Sequence, residues 1–227
     1  MVAKEETVFV KRSTIVLVGA AGLILVFALA SFLYTRQRAS EIEELAAAAD
    51  SPLERPHSQT LGSADAKVVL VEFFDPACET CRVFDPYVKA MLAEHPGRVR
   101  LVLRYAPFHQ GSDTMVKILE AAALQGRFRA TLQVMFDTQP EWASHHRPQP
   151  EKIWEFLPRA GVDLERIRRD MEEPRIREIL EQDVADLRLL GVRKTPQFFV
   201  NGQPLTRFGR EELRRMLAAE VAKQYPR

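Results

Sequence analysis

The sequence predicts an α/β domain carried behind one N-terminal membrane helix. Three observations lead there. Residues 14–34, TIVLVGAAGLILVFALASFLY, hold no charged side chain. Two β-rich runs, KVVLVEFFD (67–75) and RVRLVLRYA (98–106), flank a helical pattern. A third run, TPQFFVNGQPL (195–205), contains an Asn-Gly hairpin signal and precedes a last amphipathic helix. The order is β-α-β, a helical block, then β-β-α.

The uncharged run comes first. As a helix it rises about 31 Å, the hydrocarbon thickness of a bilayer. Lys11 and Arg12 precede it, and Arg36 and Arg38 follow it. Ala28-Leu29-Ala30 admits a signal-peptide cleavage site. The apolar run continues through Phe32, Leu33 and Tyr34, which favours an uncleaved anchor. Lys4, Lys11 and Arg12 before the helix outnumber Arg36 and Arg38 after it. That bias expects residues 1–13 in the cytoplasm, 14–34 in the membrane and the bulk of the chain outside. Residues 35–59 read as a linker: helix formers first, then the breakers Pro52 and Pro56. One globular domain is expected over 60–227.

Within that domain, residues 67–75 lack clean alternation and read as a strand buried on both faces. From Cys78 to Ala93, Val83, Phe84, Tyr87, Val88, Met91 and Leu92 form one apolar stripe at helical spacing. His95-Pro96-Gly97 ends it, and residues 98–106 are the next strand. From 111 to 191 the pattern is helical. Ser112 is the expected N-cap of the first helix, and Gly126 its stop. FRATLQVMFDTQ, PEKIWEFLPRAG and DLERIRRDMEE read as further helices. PRIREILEQDVADLRLLG is the longest, with Ile176, Leu180, Val184 and Leu187 as its expected buried stripe. Trp142 and Trp154 read as packing within this block. QFFV is a strand, Asn201-Gly202 a type I′ turn, and Pro204 suits an edge strand. GREELRRMLAAEVAK closes the domain, with Leu213, Met216, Leu217 and Val221 on one side.

Charge excludes one class of function. The chain holds 32 basic and 31 acidic residues, of which 27 and 29 lie beyond residue 38. A nucleic-acid partner is not expected, because phosphate binding needs a cationic surface.

The only two cysteines, Cys78 and Cys81, stand where a strand passes into a helix. Unpaired backbone N–H groups and the helix dipole favour an anion there, so the Cys78 pKa should fall and its nucleophilicity rise. Cys81 lies one turn on, within reach of a disulfide. A zinc site needs about four ligands. The histidines at 57, 95, 109, 145 and 146 fall in no ligand pattern, so no metal and no cofactor is expected. His145 and His146, in a Pro-rich loop, read as solvated.

These residues resemble the DsbA-like thiol:disulfide oxidoreductases of the thioredoxin superfamily. The resemblance runs from about Leu61 to Val221. It rests on SADAKVVLVEFFDPACETC, on Pro86 five residues after Cys81, on KTPQFFVNG and on the helical block. It implies a thioredoxin fold with a helical insertion, about 111–191, between its βαβ and ββα halves. It implies disulfide exchange with exported proteins, with Cys78 attacking and Cys81 resolving. Glu72 matches the family's acid beneath the active site, which could move the Cys81 proton. Pro196 should be cis, with Thr195 offering backbone hydrogen bonds to an extended substrate. Strong oxidases of the family carry Pro-His between the cysteines, whereas Glu79-Thr80 stands here. Glu79 should oppose the thiolate, Thr80 could donate to it, and Arg82 could partly offset Glu79. The expected Cys78 pKa is therefore below that of a free thiol and above that of a strong oxidase. His109, in YAPFHQGSD, matches a family-like loop, with substrate binding as its lesser reading.

The implied partners are thiol- or disulfide-containing proteins, an unidentified redox partner that a membrane protein could supply, and the membrane itself. The implied location is the inner membrane, single-pass, with the domain in the periplasm. A reductase or isomerase using the same chemistry, and a copper-handling thiol protein, are the rival readings.

Overall fold

A buried strand organises the domain. In the computed structural model, which describes residues 3–48, 50–143 and 147–226, β2 (Val68–Phe74) is covered on both faces, with only Val69 partly exposed. His145 and His146 lie outside the described residues. The run has few polar groups to solvate, and its backbone is satisfied on both sides by ladders. β3 (Val99–Tyr105) pairs with β2 in parallel, and β4 (Gln197–Val200) pairs with it antiparallel. β5 (Gln203–Pro204) forms one edge beside β4, and β1 (Gln59–Leu61) the other beside β3, giving the order β1-β3-β2-β4-β5. β1 was not expected: three residues, QTL, carry too little pattern to read. Asn201 and Gly202, at φ 44° and 83°, make the hairpin turn with both residues at positive φ.

The chain divides into two compact units, Met1–Glu44 and Leu45–Arg227. In the first, α1 (Ala3–Ala47) is one uninterrupted helix, so the stub expected after the anchor continues the same element. Among the described residues it is the one helix long and apolar enough to cross a membrane, over Thr14–Ala46.

In the second unit, α2 (Glu79–Glu94) and α7 (Arg210–Gln224) cover one face of the sheet. Phe84, Val88 and Met91 meet Leu213, Leu217 and Val221 over Val68, Leu70 and Phe198. The helical insertion builds a second core. It comprises α3 (Ser112–Ala123), α4 (Phe128–Trp142), α5 (Leu164–Asp170) and α6 (Pro174–Leu189). Met115, Ile118, Leu119, Met135, Phe136 and Trp142 pack there with Phe74, Tyr105 and both cysteines. Each such large apolar side chain contributes about 1.5–3 kcal/mol when fully buried. PEKIWEFLPRAG, expected as one helix, forms two 3₁₀ turns, Pro150–Glu155 and Leu157–Ala160. Pro158 lacks the N–H that a continuous α-helix would use.

Two expectations change. The buried face of α6 is Ile176, Ile179, Asp183, Asp186 and Leu187, rotated away from Leu180 and Val184. Two carboxylates are inside because arginines meet them. Arg104, wholly buried, donates to Asp183 and Asp186, each at 2.7 Å. Arg55 donates to Asp186 at 2.7 and 2.8 Å. The same bonds fold part of the expected tether onto the domain: Leu53 is buried, and the Pro52 carbonyl accepts from Arg104 at 2.5 Å. Residues 50–58 look like a linker in composition, but their charges have buried partners.

Candidate active site

β2 delivers the chain to Asp75, and Asp75 shapes the loop that follows. Its side chain is wholly buried. One carboxylate oxygen accepts from the Ala77 N–H at 2.8 Å and from the Ser112 hydroxyl at 2.5 Å. The other accepts from the backbone N–H groups of Phe108 and His109 at 2.8 and 2.9 Å, and from His109 Nδ1 at 2.8 Å. The Asp75 carbonyl accepts from the Cys78 N–H at 3.0 Å. An Asx turn is thus locked between β2 and α2. Ser112 was expected as a helix cap; Gly111 caps α3 instead, and the serine hydroxyl is spent on Asp75. Gly111 sits at φ 75°, and a Cβ there would lie 2.1 Å from Pro150 Cγ, so only glycine fits.

Cys78 is the N-cap of α2, with extended backbone (φ −75°, ψ 118°). Cys81 follows one turn on, and both are buried free thiols. The Cys78 pKa is lowered to about 6. The first cause is the hydrogen bond donated by the Cys81 thiol; the Thr195 side chain and the backbone N–H groups of Cys81 and Thr80 add to it, against desolvation. The helix terminus contributes as expected, but the partner sulfur contributes more. Burial first, and then the adjacent Cys78 and Glu72, push the Cys81 pKa well above that of a free thiol.

Glu72 lies on β2 in register with Leu103 and Phe198, buried. Its pKa is raised to about 8, chiefly by desolvation, then by the charges of Asp85 and Cys78, against Lys89. A cavity of about 90 Å³ adjoins it, with Asp85, Lys89 and Gln133 among its lining. The Thr195–Pro196 peptide is cis, and the Thr195 carbonyl lies 3.4 Å from Cys78 Sγ. That carbonyl accepts only from the thiol form. Glu79 is partly buried and Thr80 exposed, both in the first turn of α2. Arg82 Nε donates to Gln139 Oε1 at 2.9 Å. Among the described residues, no group of three or more His, Cys, Asp or Glu side chains is placed to hold a metal ion.

The thioredoxin family model matches residues 54–219 of this chain. The chain belongs to the thioredoxin family.

Two kinds of protein stand among its relatives. It is 30% identical over 156 residues to a Na⁺/H⁺ antiporter NhaA of Herminiimonas arsenicoxydans, covering 69% of this chain and 24% of that one. The chain thus spans about a quarter of the length of these antiporter relatives. It is 28% identical over 157 residues to a protein named probable disulfide bond formation protein D of Bacillus cereus, covering 63% of this chain and 70% of that one. Among solved structures, a thioredoxin-like oxidoreductase from Silicibacter pomeroyi superposes with a TM-score of 0.67 at 28% identity, over 78% of this chain and 99% of that one. The thiol-disulfide exchange protein α-DsbA2 of Wolbachia pipientis shares the fold, with a TM-score of 0.64 at 17% identity over 83% and 98% of the two chains. This member of the thioredoxin family therefore has the DsbA-like fold, insertion included.

The fold brings Cys78, Cys81, Thr195, Pro196 and Glu72 to one end of β2, where β4 enters and α2 leaves. Arg82 points instead to the insertion, where Gln139 holds it. Sequence reasoning missed Asp75 and Gln139. Asp75 had a legible signal, an aspartate two residues before a small residue at a strand end. Gln139 had none, because its partners lie 61 and 63 residues away in sequence.

Proposed function

We propose that this chain is a thiol:disulfide oxidoreductase that exchanges disulfides with exported proteins, with Cys78 as the attacking sulfur and Cys81 resolving. Residues 14–34 would anchor it in the inner membrane and leave the domain, from about residue 50, in the periplasm. One observation carries the reading: Cys78 caps α2 with Cys81 one turn on, and its Sγ lies 3.4 Å from the carbonyl of Thr195, which precedes the cis Pro196.

In the oxidising direction, a substrate thiolate attacks Sγ of Cys78 in the Cys78–Cys81 disulfide. The S–S bond breaks, and its electron pair leaves on Cys81. Cys81 takes a proton, for which Glu72 is the adjacent source. The second substrate thiol loses its proton and attacks the substrate sulfur of the mixed disulfide, and Cys78 departs as a thiolate. Two electrons pass from the substrate to the protein. Run in reverse, the same steps reduce a substrate disulfide. Thr195 and Pro196 supply the backbone surface against which an extended substrate lies. The Thr80 backbone N–H donates to Cys78, and Glu79 stands in the same first turn.

A Cys78 pKa near 6 falls between thioredoxin, about 7, and DsbA, about 3.5. Because a more stable thiolate makes the disulfide more oxidising, the potential should lie between about −270 and −120 mV. Insulin reduction and reduced-ribonuclease oxidation by the full chain and by Cys78→Ala test the reading. Loss of both activities in the variant is expected; activity that survives the substitution ends the proposal.

A further inference from the structure

The dipeptide between the cysteines brings no positive charge to Cys78, and Glu79 brings a negative one. A histidine nevertheless stands beside the loop, its ring bonded to Asp75. The single buried carboxylate of Asp75 holds both sides of the arrangement: it bonds His109 through ring and backbone, and it bonds Ala77, the neighbour of Cys78. Its own carbonyl fixes the Cys78 N–H. His109 and the Cys78 loop are therefore clasped to one residue. We propose that His109, held as an imidazolium by Asp75, supplies the positive charge that keeps Cys78 an attacking anion, the task that the dipeptide here does not perform. The inference rests on the exchange reading above and assigns His109 and Asp75 within the same site.

Three physical arguments support it. A buried carboxyl group costs free energy unless its oxygens are hydrogen-bonded. Asp75 has four N–H and O–H donors, and the imidazole is its fifth partner. His109 Nδ1 must carry a proton in either ring state, since it faces a carboxylate oxygen at 2.8 Å. The remaining proton then sits on the side of the ring away from Asp75. The His109 pKa is raised, first by the Asp75 hydrogen bond and also by the charges of Cys78 and Glu79, so the ring feels the sulfur. Cys81, Thr195 and the backbone N–H groups of Cys81 and Thr80 weigh more on the sulfur, and the ring adds its charge to theirs.

Four other titratable groups, Asp75, Glu79, Cys81 and Glu72, share the surroundings of the ring and the sulfur. Asp75, Cys78 and Glu79 act on His109; Cys81 and Glu72 share the sulfur's surroundings. Asp75 is a positioning residue, acting through His109 and the loop.

The test uses the full chain in detergent. Histidine-selective NMR follows the His109 ring against pH in the reduced protein and in the Cys78–Cys81 disulfide form. Ultraviolet thiolate absorbance follows Cys78 in the wild type, His109→Gln and His109→Lys. Oxidation removes the anion, so the His109 midpoint should fall on oxidation. His109→Gln should raise the Cys78 midpoint by about one pH unit, a tenfold loss of thiolate below it. The disulfide's equilibrium constant against glutathione should shift about tenfold, or about 30 mV, towards a less oxidising couple. His109→Lys should restore the low midpoint. A His109 midpoint equal in both redox states overturns the inference without any variant, as does a Cys78 midpoint indifferent to His109→Gln. A wild-type Cys78 that stays protonated to alkaline pH sinks the exchange reading as well; an ionised Cys78 deaf to His109 sinks only this one.

Discussion

The side-chain amide of Gln139 donates to the backbone carbonyl of Cys78 at 3.2 Å. The same nitrogen reaches the Pro76 carbonyl at 2.8 Å, and the amide oxygen receives Arg82 Nε. Gln139 is wholly buried on α4. The helical insertion thus grips the loop that carries the cysteines. A buried carbonyl left without a donor costs about 1–3 kcal/mol. Gln139→Leu should therefore destabilise the reduced protein by about that much. Urea unfolding of the full chain in detergent, read by the fluorescence of buried Trp142, measures it. Unchanged stability would mean that water replaces the amide without penalty and that the grip is dispensable.

The strongest influence on Cys78 is its partner sulfur. Removing the Cys81 thiol removes the first of the hydrogen bonds that lower the Cys78 pKa to about 6. Cys81→Ala should move the thiolate midpoint upwards, towards the 9.0 of a free thiol. A lowered pKa makes the reduced fold gain stability above the unfolded value, near 9, and lose it as pH falls through about 6. The reduced wild type should therefore weaken between pH 9 and about 6, and Cys81→Ala should flatten that slope. Thiolate absorbance and pH-dependent unfolding check the two halves. A midpoint that stays near 6 in Cys81→Ala would shift the credit to Thr195, the backbone amides and His109.

Glu72 pushes the other way. Its folded pKa of about 8 exceeds the ordinary 4.5. Above the ordinary value the unfolded chain releases the proton that the folded chain keeps, so stability drains away as pH rises to about 8 and then levels. Glu72→Gln, which has no proton to release, should stabilise the reduced protein by a few kcal/mol at about pH 8, on the order of 1.4 kcal/mol for each tenfold difference in proton affinity between the folded and unfolded chain. Near pH 4.5 the gain should vanish. The substitution should also slow the release of Cys81, because the adjacent proton source is gone. Unfolding at the two pH values decides: equal effects at both would place Glu72 in contact with solvent.

The ββα end and both strands of the βαβ half were legible because apolar runs of that length admit few other readings. The C-x-x-C pair was legible because cysteine is otherwise absent from the chain. The face of α6 was not. Ile179 and Asp183 outrank Leu180 and Val184 only because Arg104 and Arg55 arrive from elements 79 and more residues away in sequence, and a helical wheel holds no record of them. Asp75 and Gln139 were hidden likewise. Their importance lies in backbone groups that only the folded loop presents.

Those two arginines also pin the segment that precedes β1. Asp186 is buried, accepts from both Arg104 and Arg55, and its pKa is lowered; desolvation opposes, but the hydrogen bonds from Arg55 and Arg104 outweigh it. Removing one partner of a buried pair strands the others, at about 3–5 kcal/mol. Asp186→Ala should cost that much, and should free residues 50–58 from the domain before the rest unfolds. Asp186→Asn, which keeps the shape and an acceptor, should cost less. Because the folded pKa lies below the ordinary 3.8, the wild type keeps this contribution above that value and loses it as pH falls further, so the two variants should converge on it in acid. Limited proteolysis within 50–58 reads the local release, and acid unfolding reads the convergence. If Asp186→Ala leaves that segment as protected as the wild type, the arginines are not what holds it.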